Sequence, residues 1–168
     1  MKVVKFGGSS LASATQLAKV LQIIKEDSER RFVIVSAPGK RNAQDTKVTD
    51  ALIKYYRDHV AGNDVTKHQQ WIIQRYQDMA IELELKPNIL ERISKSIQKL
   101  ASLPIENNKF LYDTFLAAGE NNNAKLIAAY FSQNGINARY VHPREAGLIV
   151  SSEPGNARLL PSSYDKIE

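Results

Sequence analysis

A glycine-rich turn between an apolar run and a helical pattern constrains the fold of this chain more than any other feature. Val3-Val4 is followed by Lys5-Phe6-Gly7-Gly8-Ser9-Ser10, and apolar residues then recur at helical spacing over residues 14–24. A strand-to-helix junction of this kind presents unpaired backbone N–H groups, to which the helix dipole adds partial positive charge. With Lys5 alongside, the turn predicts a phosphate site. An ordinary turn with a solvated lysine is the alternative, because short glycine motifs are common.

A second apolar run, over residues 31–37, completes a strand–helix–strand pattern. It is apolar on both faces, which is typical of a parallel strand covered by helices. The two runs and the helix between them therefore predict a right-handed βαβ unit in an α/β fold. A hydroxyl of Ser9 or Ser10 is expected to cap the helix.

The middle of the chain is predicted to be a helical insertion between strands. One helix begins near Thr49, and Pro87 occupies the expected first position of another. Gly119-Glu120 interrupts the apolar periodicity and predicts a break between two helices. The remaining expected elements are a helix end at Asn134-Gly135, short strands over residues 136–141 and 148–150, and a helix that starts at Ser162 or Ser163.

The composition argues against several functional classes. The chain has 168 residues, which suits one domain spanning residues 1–168, and its charge of +5 comes from basic residues interspersed with acidic ones. Mixed charges of this kind argue against nucleic-acid binding, and no apolar stretch is long enough to cross a membrane. There is no cysteine, and no pair of the three histidines has metal-ligand spacing. We expect a cytoplasmic protein without a protein-bound metal.

Polar residues at the expected carboxyl ends of strands, or at helix starts, are candidates for a ligand site. They are residues 5–10, residues 36–39, Thr49 and Glu120. A lysine with glycine amides suits a phosphate, whereas a carboxylate and a hydroxyl suit an amino acid, so the set is typical of phosphoryl transfer to an amino acid. Structural roles are the alternatives, since Thr49 could cap a helix and Glu120 could interact with a helix dipole. The sequence contains neither a nucleophile elbow nor a Walker motif.

The order of these segments resembles the aspartokinase family. The matching motifs are Lys-Phe-Gly-Gly-Ser-Ser at 5–10, Val-Ser-Ala-Pro-Gly-Lys at 35–40, Val-Thr-Asp at 48–50 and Ala-Gly-Glu at 118–120, with further likeness at 134–135 and 154–158. The resemblance implies a three-layer amino-acid kinase fold, a mainly parallel sheet between helices, of which this chain would be the N-terminal part with a helical insertion. It also implies an aspartate kinase that transfers the γ-phosphoryl group of ATP, with Mg²⁺, to the β-carboxylate of L-aspartate. That reaction opens lysine, threonine and methionine biosynthesis.

The resemblance assigns a phosphate-binding role to the glycine-rich turn. Lys5 would be the catalytic residue, in contact with the transferring phosphates and offsetting the charge that develops on them. Phe6, Gly7, Gly8 and Ser9 would complete the ATP phosphate site with backbone amides and a hydroxyl.

Two further residues would bind the amino-acid substrate. Glu120 would hold the ammonium group of aspartate, and Thr49 would help to orient it. In many relatives a serine lies three residues after this glutamate, where the present chain has Asn123, whose amide can replace a hydroxyl as a hydrogen-bond donor. The nucleophile belongs to aspartate, so the protein needs mainly to align two anions.

Family members continue into a nucleotide-binding half and regulatory ACT domains, beyond the length of this chain. We therefore expect the 168-residue chain alone to have little or no activity, and the full-length protein to form a homo-oligomer. Two alternatives stay open. One is a kinase of glutamate, acetylglutamate or carbamate, which shares the lysine-glycine start, and the other is a non-catalytic binding domain with the same fold.

Overall fold

A parallel βαβ unit opens the chain, as predicted. The computed structural model describes residues 1–167. Strand β1 (Lys2–Phe6) and strand β2 (Arg30–Val35) are parallel neighbours, and helix α1 (Ala14–Lys25) connects them. β2 ends before residues 36–37, which belong instead to the turn that follows.

The connection from β1 to α1 differs from the prediction. Residues Gly8–Leu11 form one turn of 3₁₀ helix, and α1 begins only after it. Ser13 caps α1, since its Oγ accepts a hydrogen bond from the Gln16 backbone amide at 3.3 Å. The prediction that Ser9 or Ser10 caps this helix is wrong, because the extra turn carries both serines ahead of it. The glycine-rich turn is therefore not at the amino end of α1 itself.

The predicted helical insertion consists of four helices that contain most of the core. They are α2 (Val48–Val60), α3 (Thr66–Glu82), α4 (Pro87–Lys99) and α5 (Leu111–Gln133). α2 packs against α3 and α5, and α4 also packs against both of these helices. Tyr55 of α2 and Phe115 of α5 meet edge to face inside this bundle, with 4.9 Å between ring centroids. No helix in the described part of the chain is long and apolar enough to cross a membrane.

Helix α5 runs without a break through Gly119, contrary to the prediction. Glycine in a helix interior costs about 1 kcal/mol relative to alanine, but the position of Gly119 in the fold requires a small residue. A Cβ built there would lie 2.8 Å from the Ala37 Cβ. The predicted helix end is confirmed, since α5 stops at Gln133 and Gly135 has a φ of 86°.

Within residues 1–167 the helices cover one face of the sheet. Alternate residues of both strands pack against the core. The residues between them face solvent, with exposed fractions of 67% for Val3, 52% for Phe32 and 51% for Ile34. The α/β class with a parallel sheet and many helices is confirmed, and in this part of the chain the helices cover one of the two faces of β2.

The two strands predicted after α5 do not form. Residues 136–141 are irregular, and residues 148–150 contribute only an isolated antiparallel bridge between Val150 and Leu159. An extended segment needs a neighbouring strand to satisfy its backbone groups, and the sheet described here ends at β1 and β2. A short 3₁₀ turn, Pro161–Ser163, then leads into the helical turn Tyr164–Ile167, where a helix was predicted.

Candidate active site

The turn after β1 and the turn after β2 touch through their backbones. The Gly39 amide donates a hydrogen bond to the Gly8 carbonyl oxygen at 2.9 Å. A Cβ built on Gly39 would lie 2.6 Å from the Gly8 carbonyl carbon, and one built on Gly8 would lie 2.9 Å from the Ala37 carbonyl oxygen. Both positions need glycine because no side chain fits between the two backbones.

A buried arginine, which the sequence pattern did not single out, holds both turns. Arg75 of α3 is 2% exposed, and its Nη2 donates to the carbonyl oxygens of Ala12 at 2.6 Å and Gly39 at 2.8 Å. The signal that would have revealed it is its spacing. Arg75 lies three residues after Ile72 and four before Met79, so it is on the apolar face of α3.

Asp45 supplies the negative charge beside this arginine. One of its carboxylate oxygens lies 3.2 Å from Arg75 Nη1 and accepts hydrogen bonds from the backbone amide and Nε of Arg41, at 2.9 and 2.8 Å. The Arg41 hydrogen bonds and the Arg75 charge hold the pKa of the Asp45 carboxyl well below its usual range, against the effect of burial. Burial and the Arg41 charge lower the pKa of Arg75, and Asp45 opposes both. The polar loop over residues 40–47 is thereby tied to α3.

Lys5 lies on the solvent-exposed face of the sheet, opposite Ile34 in the strand register. The other lysine of this strand, Lys2, pairs with Asp27 at 2.7 Å. No carboxylate among residues 1–167 pairs with Lys5. Its ammonium group is therefore available to an anionic ligand.

The other residues predicted to bind phosphate differ in what they can offer. A Cβ built on Gly7 would meet nothing within 4 Å, so the space beside it is open, and Ser9 is exposed. The amides of Gly8 and Ser9 open a helical turn and so lack an intrahelical acceptor. Phe6 differs because its side chain packs against the core and its carbonyl oxygen accepts from the Ser36 amide at 3.3 Å. Only the backbone of Phe6 lies beside the glycine-rich turn.

Helix α5 meets the turn after β2 beside Glu120, the carboxylate predicted to bind the substrate ammonium group. Gly119 packs against Ala37, and one turn later the Asn123 Nδ2 donates to the Ser36 carbonyl oxygen at 2.7 Å. Glu120 lies between these two contacts and is half-buried. Asn123 is fully buried, so its amide holds α5 to the end of β2 instead of facing an open cleft.

Tyr76 connects α3 to the same point of α5. Its hydroxyl donates to the Gly119 carbonyl oxygen at 2.8 Å, and its side chain is fully buried. Burial raises the pKa of Tyr76 far above its ordinary value, and the negative charge of Glu120 adds to this rise. The carboxylate of Glu120 is thus within electrostatic reach of the Tyr76 hydroxyl.

Thr49 is the second residue of α2 and not its cap. Lys47 occupies the N-cap position, and no side chain there makes a capping hydrogen bond. The amide of Val48 donates to the Pro38 carbonyl oxygen at 3.1 Å, which anchors the start of α2 to the turn after β2. The capping alternative for Thr49 is therefore wrong, and its half-buried hydroxyl stays a candidate for substrate binding.

Residues 36–39 are the common anchor of the three predicted parts of the site: the glycine-rich turn, the start of α2 and the Glu120 segment of α5. The site is an open surface at the carboxyl ends of the two strands. Two cavities, of about 410 and 190 Å³, lie elsewhere, one beside α1 and the ends of α3 and α5 and one between α4 and α5. Strand ends that meet in this way are where open α/β sheets bind their ligands.

The sequence model of the amino acid kinase family matches residues 1–168. The chain therefore belongs to the amino acid kinase family.

Its relatives in this family include aspartokinases. The chain is 48% identical over 167 residues to Aspartokinase 3 of Bacillus subtilis, covering 99% of this chain and 37% of that protein. It superposes on the aspartate kinase of Clostridium acetobutylicum with a TM-score of 0.65 and 35% identity, over 77% of this chain and 29% of that one. E. coli aspartokinase III in complex with aspartate and ADP has a TM-score of 0.67, 19% identity and coverage of 96% and 35%, and so shares the fold. The predicted resemblance to aspartokinases is confirmed.

Proposed function

We propose that the protein is an aspartate kinase, which transfers the γ-phosphoryl group of ATP to the β-carboxylate of L-aspartate. The observation that carries this proposal is the attachment of the Lys5 turn and of the Glu120 segment to the same four residues, 36–39. One side offers a cation and glycine amides, and the other offers a carboxylate. The 48% identity to Aspartokinase 3 of B. subtilis supports aspartate as the acceptor.

The residues of the turn fit a nucleotide phosphate. Lys5 has no carboxylate partner among residues 1–167, and the space beside Gly7 is open. In the proposed reaction Lys5 offsets negative charge on the transferring group, while the amides of Gly8 and Ser9 hold its oxygens. Phe6 contributes through its backbone. Mg²⁺ would be bound mainly by nucleotide phosphates, as is usual for this ion.

The residues on the other side fit an α-amino acid. Glu120 would pair with the substrate ammonium group, and the Thr49 hydroxyl would help to orient the substrate. Aspartate itself supplies the attacking carboxylate oxygen, so the protein's task is to bring two anions together and reduce their repulsion.

The resemblance to aspartokinases supports further proposals. We propose a role in lysine, threonine and methionine biosynthesis in the cytoplasm, and a homo-oligomeric full-length protein. We also propose that residues 1–168 form the amino-acid-substrate part of a larger catalytic domain, because the chain spans 37% of the B. subtilis relative.

The test is a kinase assay of the full-length protein with Lys5→Ala. We expect wild type to form aspartyl phosphate, detected as the hydroxamate, and Lys5→Ala to reduce kcat by about a hundredfold or more, since that is the usual cost of losing one preorganised electrostatic contact to the transferring group. Lys2→Ala is the matched control on the same strand. It removes only surface ion pairs with Asp27 and Glu29 and should leave kcat unchanged.

The same assay with glutamate, acetylglutamate and carbamate decides between acceptors. Phosphorylation of one of these in preference to aspartate would replace the proposed substrate. Failure of the full-length protein to phosphorylate any of them, with nucleotide binding retained, would favour the non-catalytic alternative.

A further inference from the structure

We propose that helix α3 fixes the position of both sides of the site, through the adjacent residues Arg75 and Tyr76. This inference rests on the proposed function for its kinetic consequences. Arg75 is assigned as the positioning residue of the phosphate side and Tyr76 as that of the amino-acid side. Neither side chain reaches a substrate in this role, since both act through backbone carbonyl groups.

Arg75 joins the segments that follow the two strands. Its Nη2 donates to the carbonyl oxygen of Ala12, just after the glycine-rich turn, and to that of Gly39, in the turn after β2. Because Gly39 also bonds to Gly8 at 2.9 Å, the guanidinium closes a network around the Lys5 turn. A charged group that is 2% exposed has few other arrangements open to it, so the geometry is well defined.

Tyr76 holds the other side. Its fully buried hydroxyl donates to the carbonyl oxygen of Gly119, the residue before Glu120, at 2.8 Å. Consecutive residues of an α-helix point about 100° apart. One turn of α3 can therefore contact two different elements at once. Because both contacts come from one rigid helix, α3 fixes the distance between the segments that Arg75 and Tyr76 bind.

The α3 helix is itself held in the bundle. It packs against α2 and α4, and the Asp45 carboxylate pairs with Nη1 of Arg75, the nitrogen that does not contact the two carbonyl groups. The helical insertion thus has a use in the proposed reaction. It sets the distance between the phosphate turn and the ammonium-binding carboxylate, and small errors in such distances cost about a hundredfold in rate.

The test uses three variants of the full-length protein. Tyr76→Phe removes only the hydroxyl. Arg75→Lys keeps the charge, but its side chain ends one atom short of Nη2 and has no second nitrogen to pair with Asp45. Tyr55→Phe is the matched control, because its buried hydroxyl bonds to Ile97 at 3.2 Å and Gln69 at 2.7 Å inside the insertion and touches neither side of the site.

We expect the two variants to affect the KM values of different substrates. Tyr76→Phe should raise KM for aspartate about tenfold and leave KM for ATP within about twofold, while Arg75→Lys should raise KM for ATP and lower kcat by about tenfold to a hundredfold. Tyr55→Phe should lower the melting temperature about as much as Tyr76→Phe does, without changing either KM. Equal kinetic constants for Tyr76→Phe and Tyr55→Phe would overturn the proposal.

Amide hydrogen exchange gives a readout that does not depend on activity. Arg75→Lys should increase exchange over residues 7–12 and 37–41, and Tyr55→Phe should leave these residues unchanged. If wild type does not phosphorylate aspartate, the proposed function is wrong, but these exchange rates still decide whether α3 positions the two turns. Unchanged exchange in Arg75→Lys would contradict the positioning role.

Discussion

At the scale of single residues, glycines decide how closely the parts of the site approach. Gly8 and Gly39 let two backbones meet, and Gly119 lets α5 rest against Ala37. These contacts follow from the absence of a Cβ, since none of the three glycines has a positive φ. Their role is steric, and it is therefore testable by moving a methyl group from one partner to the other.

We predict that Gly119→Ala destabilises the fold and that Ala37→Gly compensates. The new Cβ would lie 2.8 Å from the Ala37 Cβ and 3.1 Å from Leu52 Cδ1. Overpacking of this kind costs about 1–3 kcal/mol, of which the better helix propensity of alanine returns about 1 kcal/mol. The measurement is the free energy of unfolding of both single variants and the double variant.

In this double-mutant cycle Ala37→Gly alone should also destabilise the fold, because it removes a buried methyl group that contributes about 1 kcal/mol. The double variant should be more stable than the sum of the two effects by about 1 kcal/mol or more. Strict additivity would show that Ala37 and Gly119 do not limit each other's packing.

At the scale of elements, the polar loop between β2 and α2 is held by charge. Asp45 bonds to Arg41 in the loop and pairs with Arg75 of α3. Its lowered pKa means that the unfolded chain binds a proton that the folded chain does not, at pH values between the two pKa values. The contribution of Asp45 to the free energy of unfolding is therefore fully present above the pKa of the unfolded state, about 4. It is lost as the pH falls toward the pKa of Asp45 in the folded state.

We predict that Asp45→Asn lowers the free energy of unfolding at neutral pH by about 3–5 kcal/mol, because it leaves the buried Arg75 charge unpaired. Below about pH 5 the stability of wild type should fall toward that of the variant, so the difference between them narrows. Denaturant unfolding across this pH range measures it. Asp50→Asn, at an exposed carboxylate in the first turn of α2, is the control and should stay within about 1 kcal/mol of wild type, since it loses only an exposed helix-dipole interaction. A stability difference between wild type and Asp45→Asn that stays constant with pH would show that the ionised Asp45 carboxylate does not stabilise the fold.

At the scale of the whole molecule, the exposed face of the sheet is the feature with most consequence. Lys5 shares this face with Val3, Phe32 and Ile34, so the proposed catalytic lysine stands beside an uncovered apolar surface. A phosphate site bounded on one side only holds a nucleotide weakly, because water competes for every contact.

We predict that the 168-residue chain alone forms no aspartyl phosphate that the hydroxamate assay detects above background. Full-length protein assayed in parallel at the same concentration provides the reference. Turnover by the short chain within about tenfold of the full-length rate would show that the surface described here is sufficient for catalysis.

Local signals predicted the parts of this fold that depend on neighbouring residues. The strand at residues 2–6, the helix after it and the stop at Asn134-Gly135 follow from periodicity, β-propensity and the backbone freedom of glycine. The break at Gly119, the caps at Ser9 and Ser10 and the strands after α5 were wrong. At Gly119 and after α5 a distant partner, or its absence among the described residues, outweighed the local preference. The caps failed for a local reason, since a 3₁₀ turn precedes α1 and Ser13 caps it.

The sequence by itself determined the βαβ unit, the family and the identity of the candidate residues Lys5 and Glu120, because motif order along the chain carries that information. Only the tertiary structure decided that residues 36–39 join the parts of the site, and that Arg75 and Tyr76 hold them. The residue type alone does not distinguish a buried arginine from a solvent-exposed one. Its role comes from the carbonyl groups that surround it, and folding brings these together from residues 36 and 63 positions away along the chain.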